Sequence, residues 1–120
     1  MGQELLDINP THYRRYRTRY FLATSSTGLR AVRGSSSKIY SHACIATARS
    51  NWGWVTNLWS SREDLAKRNA KTYNKYYQES GEGITFEAVP TQEITASEAR
   101  KIRKEINKEI TDYQSQKEAK

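Results

Sequence analysis

The apolar pattern of this chain changes period once, at Ser60, and that change constrains the fold more than any other feature. Before Ser60, apolar and polar residues alternate at every second position, as in half-buried strands. After it they recur at three and four, as on helices. Residues 12–24 are rich in Tyr, Arg and Thr and predict a strand. Its alternation puts Tyr16, Thr18, Tyr20 and Leu22 on one face, and Arg15, Arg17, Arg19 and Phe21 on the other. A turn at 25–28 leads to a short return strand at 29–33, and 34–37 is a Gly/Ser loop. Residues 38–48 predict a third strand, whose Ala43, Cys44, Ile45 and Ala46 mark it as central. A turn at Arg49-Ser50-Asn51 precedes a fourth strand over 52–59.

Past the change of period, Ser60 and Glu63 have the spacing of a capping box, as do Thr95 and Glu98, so two helices are expected to begin there. Leu65, Ala66, Asn69, Ala70, Tyr73 and Tyr77 form the stripe of the first, which ends before Ser80-Gly81. Ala99, Ile102, Ile106, Ile110 and Tyr113 form the stripe of the second. A fifth strand over 84–89 is stopped by Pro90. Residues 1–10 and 114–120 lack periodicity and are expected to be flexible ends. The element order β-β-β-β-α-β-α predicts one α+β domain spanning 1–120: an antiparallel meander of four to five strands with both helices on one face.

Charge is the next constraint. Residues 1–60 carry eight Lys/Arg against two acids, a balance of +6, whereas 61–120 carry twelve against eleven, a balance of +1. The excess lies on the β half and draws anions. No run approaches the roughly 20 apolar residues of a membrane span, and the first residues lack a signal-peptide pattern, so a cytoplasmic protein is expected. The single Cys44 excludes an internal disulfide and reads as a core residue. The two histidines are far apart in sequence, so neither a metal site nor a bound cofactor is expected.

A catalytic constellation is not legible either. There is no Gly-rich phosphate loop, no nucleophile elbow and no Cys/His pair close in sequence, which points away from an enzyme. Binding chemistry is better represented. Arg15, Arg17 and Arg19 stand about 6.6 Å apart along one strand face, a spacing suited to a nucleic-acid backbone, although cations on an edge strand also serve to prevent strand pairing. Arg30, Arg33 and Lys38 extend the basic character, and His42 lies on the third strand. Tyr40, Trp52 and Trp54 are aromatic candidates for stacking on a base. Arg100 and Arg103 lie near the start of the second helix, where backbone amides favour an anion, but interleaved Glu98, Glu105 and Glu109 also permit an ion-paired solvated face.

Three stretches carry a resemblance: Arg30-x-x-Arg33-Gly34-Ser35-Ser36-Ser37-Lys38-Ile39-Tyr40-Ser41-His42-Ala43, then Trp52-Gly53-Trp54, then Ser60-Ser61-Arg62-Glu63-Asp64-Leu65-Ala66. In length and element order the chain resembles small phage-encoded accessory proteins, and among them the Thoeris anti-defence family, non-enzymatic sponges that sequester cyclic ADP-ribose-type immune signals. The resemblance implies a homo-oligomer holding a nucleotide with arginines and an aromatic.

The first functional expectation is therefore a sponge-type binder of a phosphate-bearing ligand, using Arg30, Arg33, Lys38, Tyr40, His42, Trp52, Trp54, Arg100 and Arg103. Two alternatives use the same residue types: nucleic-acid binding through the Arg15, Arg17 and Arg19 ladder, and inhibition of an acidic protein partner through aromatic anchors with a basic rim. Aromatic residues on both faces of several strands also predict a homodimer or larger, unless the segment from Leu5 to Pro10 covers the patch.

Overall fold

In a computed structural model, which describes residues 17–81 and 83–118, the strands divide between two three-stranded antiparallel sheets. The elements are β1 Arg19–Thr24, β2 Arg30–Ser35, β3 His42–Ala46, β4 Asn57–Ser60, α1 Glu63–Ser80, β5 Phe86–Pro90, β6 Gln92–Ile94 and α2 Ala96–Glu118. One sheet has the order β2-β1-β6 and the other β4-β3-β5. The α+β class and the antiparallel pairing expected from the sequence are what the chain adopts, with one strand more than expected.

Alternation explains how the two sheets meet. In β1, Phe21 and Ala23 share a face with Ala31 and Arg33 of β2, their cross-strand partners. In β3, Ala43 and Ile45 share a face with Trp59 and Asn57 of β4 and with Val89 of β5. These two faces pack on each other, with Ala23, Ala31, Ala43 and Ile45 buried at the centre and Val55, Trp59 and Val89 around them. Small alanines let the backbones approach, and the aromatics close the rim: Tyr40 lies between Phe21 (ring centroids 5.8 Å) and Trp59 (6.2 Å).

The helices then cover opposite outer faces, not one common face. The outer face of the second sheet presents Cys44, Ala46 and Phe86 to Ala70, Tyr73 and Tyr77 of α1. Asn74 of α1 fastens this layer by donating to the Phe86 carbonyl and accepting from the Phe86 amide. Burial pushes the Cys44 thiol up to about 11. α2 covers the first sheet, placing Arg103 over the Tyr20 ring and Glu105 and Glu109 against Arg30. The sequence shows two apolar faces per sheet segment. Two sheets with one helix each cover all four, whereas a single sheet with paired helices would leave one open.

Several boundaries differ from the sequence reading for local reasons. Residues 12–16 and 1–10 lie outside the described residues. The segment 52–56 does not join β4, because a turn held by Ser50 N–H to the Trp54 carbonyl (2.8 Å) occupies it, with Gly53 at φ 95°. Residues 114–118 are not a loose tail: α2 continues through Glu118, and Gln114 donates to the Trp52 carbonyl (3.0 Å). Pro90 ends β5, but after Thr91 the chain resumes pairing as β6 beside β1, so one extended stretch serves both sheets.

The two expected capping boxes have different outcomes. Ser60 Oγ instead donates to the Arg62 carbonyl (2.7 Å), and α1 starts at Glu63 with no side-chain cap. At α2 the box is complete: Thr95 N–H donates to Glu98 Oε1 (2.9 Å), and Glu98 N–H donates to Thr95 Oγ1 (3.1 Å). The backbone amide of Thr95, followed by its hydroxyl, holds the Glu98 carboxyl below its ordinary value. A depressed carboxyl stabilises the fold above its unfolded value of about 4.3 and loses that contribution as pH falls through the folded value. The protection factor of the amides in the first turn of α2 should therefore be high at neutral pH and fall below about pH 4. In Glu98→Ala it should be low at neutral pH and lack that acid transition.

Among the described residues, no helix is long and apolar enough to cross a membrane.

Candidate anion-binding cleft

A concavity of ≈ 940 Å³ lies at one end of the first sheet. Three segments enclose it: the entry to β1 from Arg17 to Tyr20, the connection from Ser35 to Ile39, and the junction of β6 with α2 at Ile94 to Ala96. The connection is shaped by its own serine. Ser35 Oγ accepts from the Lys38 amide (2.9 Å) and the Ser37 amide (3.3 Å), turning the chain so that Ser36, Ser37 and Lys38 stand exposed.

Charge in this cleft divides into paired and unpaired groups. Arg19 donates Nε to Glu93 Oε2 (2.9 Å) and Nη2 to Glu93 Oε1 (2.7 Å), and Glu98 is occupied by the cap of α2. The side-chain bond from Arg19 is the main cause holding the Glu93 carboxyl below its usual range. Arg17 and Lys38 form no ion pair with any acid among the described residues. The cleft therefore combines two unneutralised cations with serine hydroxyls, which is a donor set for phosphate oxygens.

The residues singled out from the sequence are distributed over several places. Lys38 lies in the cleft. Arg30 is half-buried between β2 and α2, its guanidinium forked across Glu105 and Glu109 at 2.9 Å each. Those bonds, led by the one to Glu105, hold its proton more tightly than usual, and the charge is already neutralised. Arg33 is exposed, with its guanidinium 5.6 Å from the Tyr40 ring, and Tyr40 itself is a buried core residue. His42 is half-buried on the α1 side of its sheet, its Nδ1 3.0 Å from Ser41 Oγ. Trp52 and Trp54 are 71% and 61% exposed on the turn at 50–54. Arg100 is exposed, and Arg103 stacks 5.4 Å from the centre of the Tyr20 ring. The nine residues do not converge on one site.

Of the alternative ladder, Arg15 lies outside the described residues. Arg17 and Arg19 are at and before the start of β1, which has β2 on one side and β6 on the other. β1 is thus a central strand, so protection of a free edge does not account for Arg19. Sequence reasoning missed the union of Arg17 with Lys38 and the Ser36 and Ser37 hydroxyls, because strand pairing across more than a dozen residues brings them together. Among the described residues, no three His, Cys, Asp or Glu side chains form a group able to hold a metal.

Comparison with protein-family models, with curated proteins and with solved structures yields no match to this chain.

Proposed function

We propose that this chain is a non-enzymatic binding protein for a phosphate-bearing ligand, with the phosphate seated in the cleft between Arg17 and Lys38. The observation that carries this reading is the absence of an acid partner for either cation among the described residues, beside the exposed Ser36 and Ser37 hydroxyls. An unneutralised pair of cations in a concavity lowers the energy of an anion there, whereas a paired one does not. A nucleotide signal of the type the Thoeris anti-defence resemblance implies is the first ligand class to offer, and the role would be sequestration.

The test is retention without turnover. Purified protein incubated with a nucleotide should remove it from solution and return it intact after heat denaturation; a cleaved product would make the chain an enzyme. In Arg17→Ala/Lys38→Ala, with two charge-assisted contacts of ~1 kcal/mol each removed, affinity should fall about thirty-fold. Unchanged retention by that variant would place the phosphate elsewhere.

A further inference from the structure

In sequence the charges of α2 alternate in sign, but on the helix one sector over residues 100–114 carries cations and no acid. At about 100° per residue, Arg100, Arg103, Lys104, Asn107, Thr111 and Gln114 all fall within a sector of roughly 100°. Glu98, Glu105, Glu109 and Asp112 fall on the opposite side and are all engaged. Glu98 caps the helix, Glu105 and Glu109 hold Arg30, Glu109 also takes Arg49, and Asp112 takes Lys108. Arg100, Arg103 and Lys104 have no acid partner among the described residues.

This basic sector connects two concavities. Tyr20 lines the cleft described above, and Arg103, stacked on Tyr20, lines a second groove of ≈ 340 Å³. Val32, Val55, Ile106 and Ile110 contribute apolar lining to that groove, and Asn107 and Trp54 also border it. Trp54 is held out on a rigid mount. Ser50 Oγ accepts from the Trp52 and Trp54 amides, Arg49 Nη1 donates to the Gly53 carbonyl (2.9 Å), and Gln114 holds the Trp52 carbonyl. A turn this constrained fixes the backbone that carries the indoles, so less backbone entropy is lost on binding.

We propose that cleft, basic sector and groove form one track for a single-stranded nucleic acid, with phosphates on Arg17, Lys38, Arg100, Arg103 and Lys104 and an unpaired base on Trp54. This rests on the phosphate binding proposed for the cleft and identifies the ligand as a chain. From Ala96 in the cleft to Ile110 in the groove, the rise along α2 is about 21 Å, which a single nucleotide does not span. The strand is single because an indole stacks on a base only when the base face is free, and because cations along a track with one aromatic stop read backbone and base face, not sequence. The track differs from the Arg15, Arg17 and Arg19 ladder in using the helix side of the first sheet.

The probe is a fluorescein-labelled ten-nucleotide oligothymidylate, read by anisotropy between about 50 and 200 mM salt, with ADP as a compact phosphate ligand measured in parallel. Wild type should bind the oligonucleotide at least tenfold more tightly than a duplex of the same length. Arg100→Ala/Arg103→Ala/Lys104→Ala should reduce the log–log salt slope by about 2, at roughly 0.7 per contact, and leave ADP binding unchanged. Trp54→Ala should weaken the oligonucleotide roughly fivefold to a hundredfold without altering that slope. Exposed side chains are changed in both variants, so their circular dichroism should match wild type. Equal affinity for duplex, equal competition by polyglutamate, or an unchanged salt slope in the triple variant would overturn the track while ADP binding still supports the cleft. Loss of neither ligand in Arg17→Ala/Lys38→Ala would overturn the cleft and, with it, the single track that starts there.

Discussion

Phe21→Ala should lower the unfolding free energy by about 3–5 kcal/mol, enough to consume a large share of the stability of a domain of this size. Phe21 is only 2% exposed and projects from the central strand of one sheet into the layer shared with the other. Its ring meets Tyr40 edge to face at 81° between planes, and Tyr40 in turn meets Trp59 of the second sheet. Truncation removes the transfer energy of the ring and leaves a cavity that neighbouring alanines, Ala23 and Ala31, are too short to fill. Urea unfolding followed by Trp fluorescence should show a lower midpoint with the same slope, since the surface exposed on unfolding hardly changes. A loss below about 1 kcal/mol would mean that the sheets do not share this layer.

Gly53→Ala should be nearly as damaging, by about 2–4 kcal/mol, although it adds a single methyl group. Gly53 is buried at φ 95°, where an L side chain costs roughly 1 kcal/mol. A Cβ there would also stand 3.1 Å from the Tyr113 ring and 3.4 Å from the Ile110 carbonyl of α2. Relief requires the Tyr113 ring or the turn to shift by a few tenths of an ångström, which loosens the Gln114 and Arg49–Glu109 contacts that tie the turn to the helix. Gly81, at φ 78° with no atom within 4 Å of a Cβ, is the control, and Gly81→Ala should cost only ~1 kcal/mol. The difference between the two midpoints isolates the packing term. Faster amide exchange over 109–114 of α2 in Gly53→Ala, and not in Gly81→Ala, would locate the damage.

How much of this was readable in the sequence depends on the range of the interaction involved. The stripe from Ala99 to Tyr113 and the box of Thr95 with Glu98 are local, and both appear as expected. The Ser60 box has the same letters, but there the Ser60 hydroxyl bonds the Arg62 backbone and no cap forms. The basic sector of α2 was also available from the helical period, since it needs only the positions of Arg100, Arg103 and Lys104 relative to Glu105 and Glu109.

Alternation by itself determined which side chains share a strand face: Phe21 with Ala23, Ala43 with Ile45, Cys44 with Ala46. It could not determine what each face meets, because pairing and stacking are chosen by groups dozens of residues apart, and several registers satisfy the same pattern. Only the tertiary structure decided that Pro90 interrupts one extended stretch that serves two sheets, and that Arg30 is neutralised by Glu105 and Glu109 while Arg17 and Lys38 are not. The charge of each arginine was evident from the chain. Whether that charge remains available to a ligand depends on which carboxylate the fold places beside it.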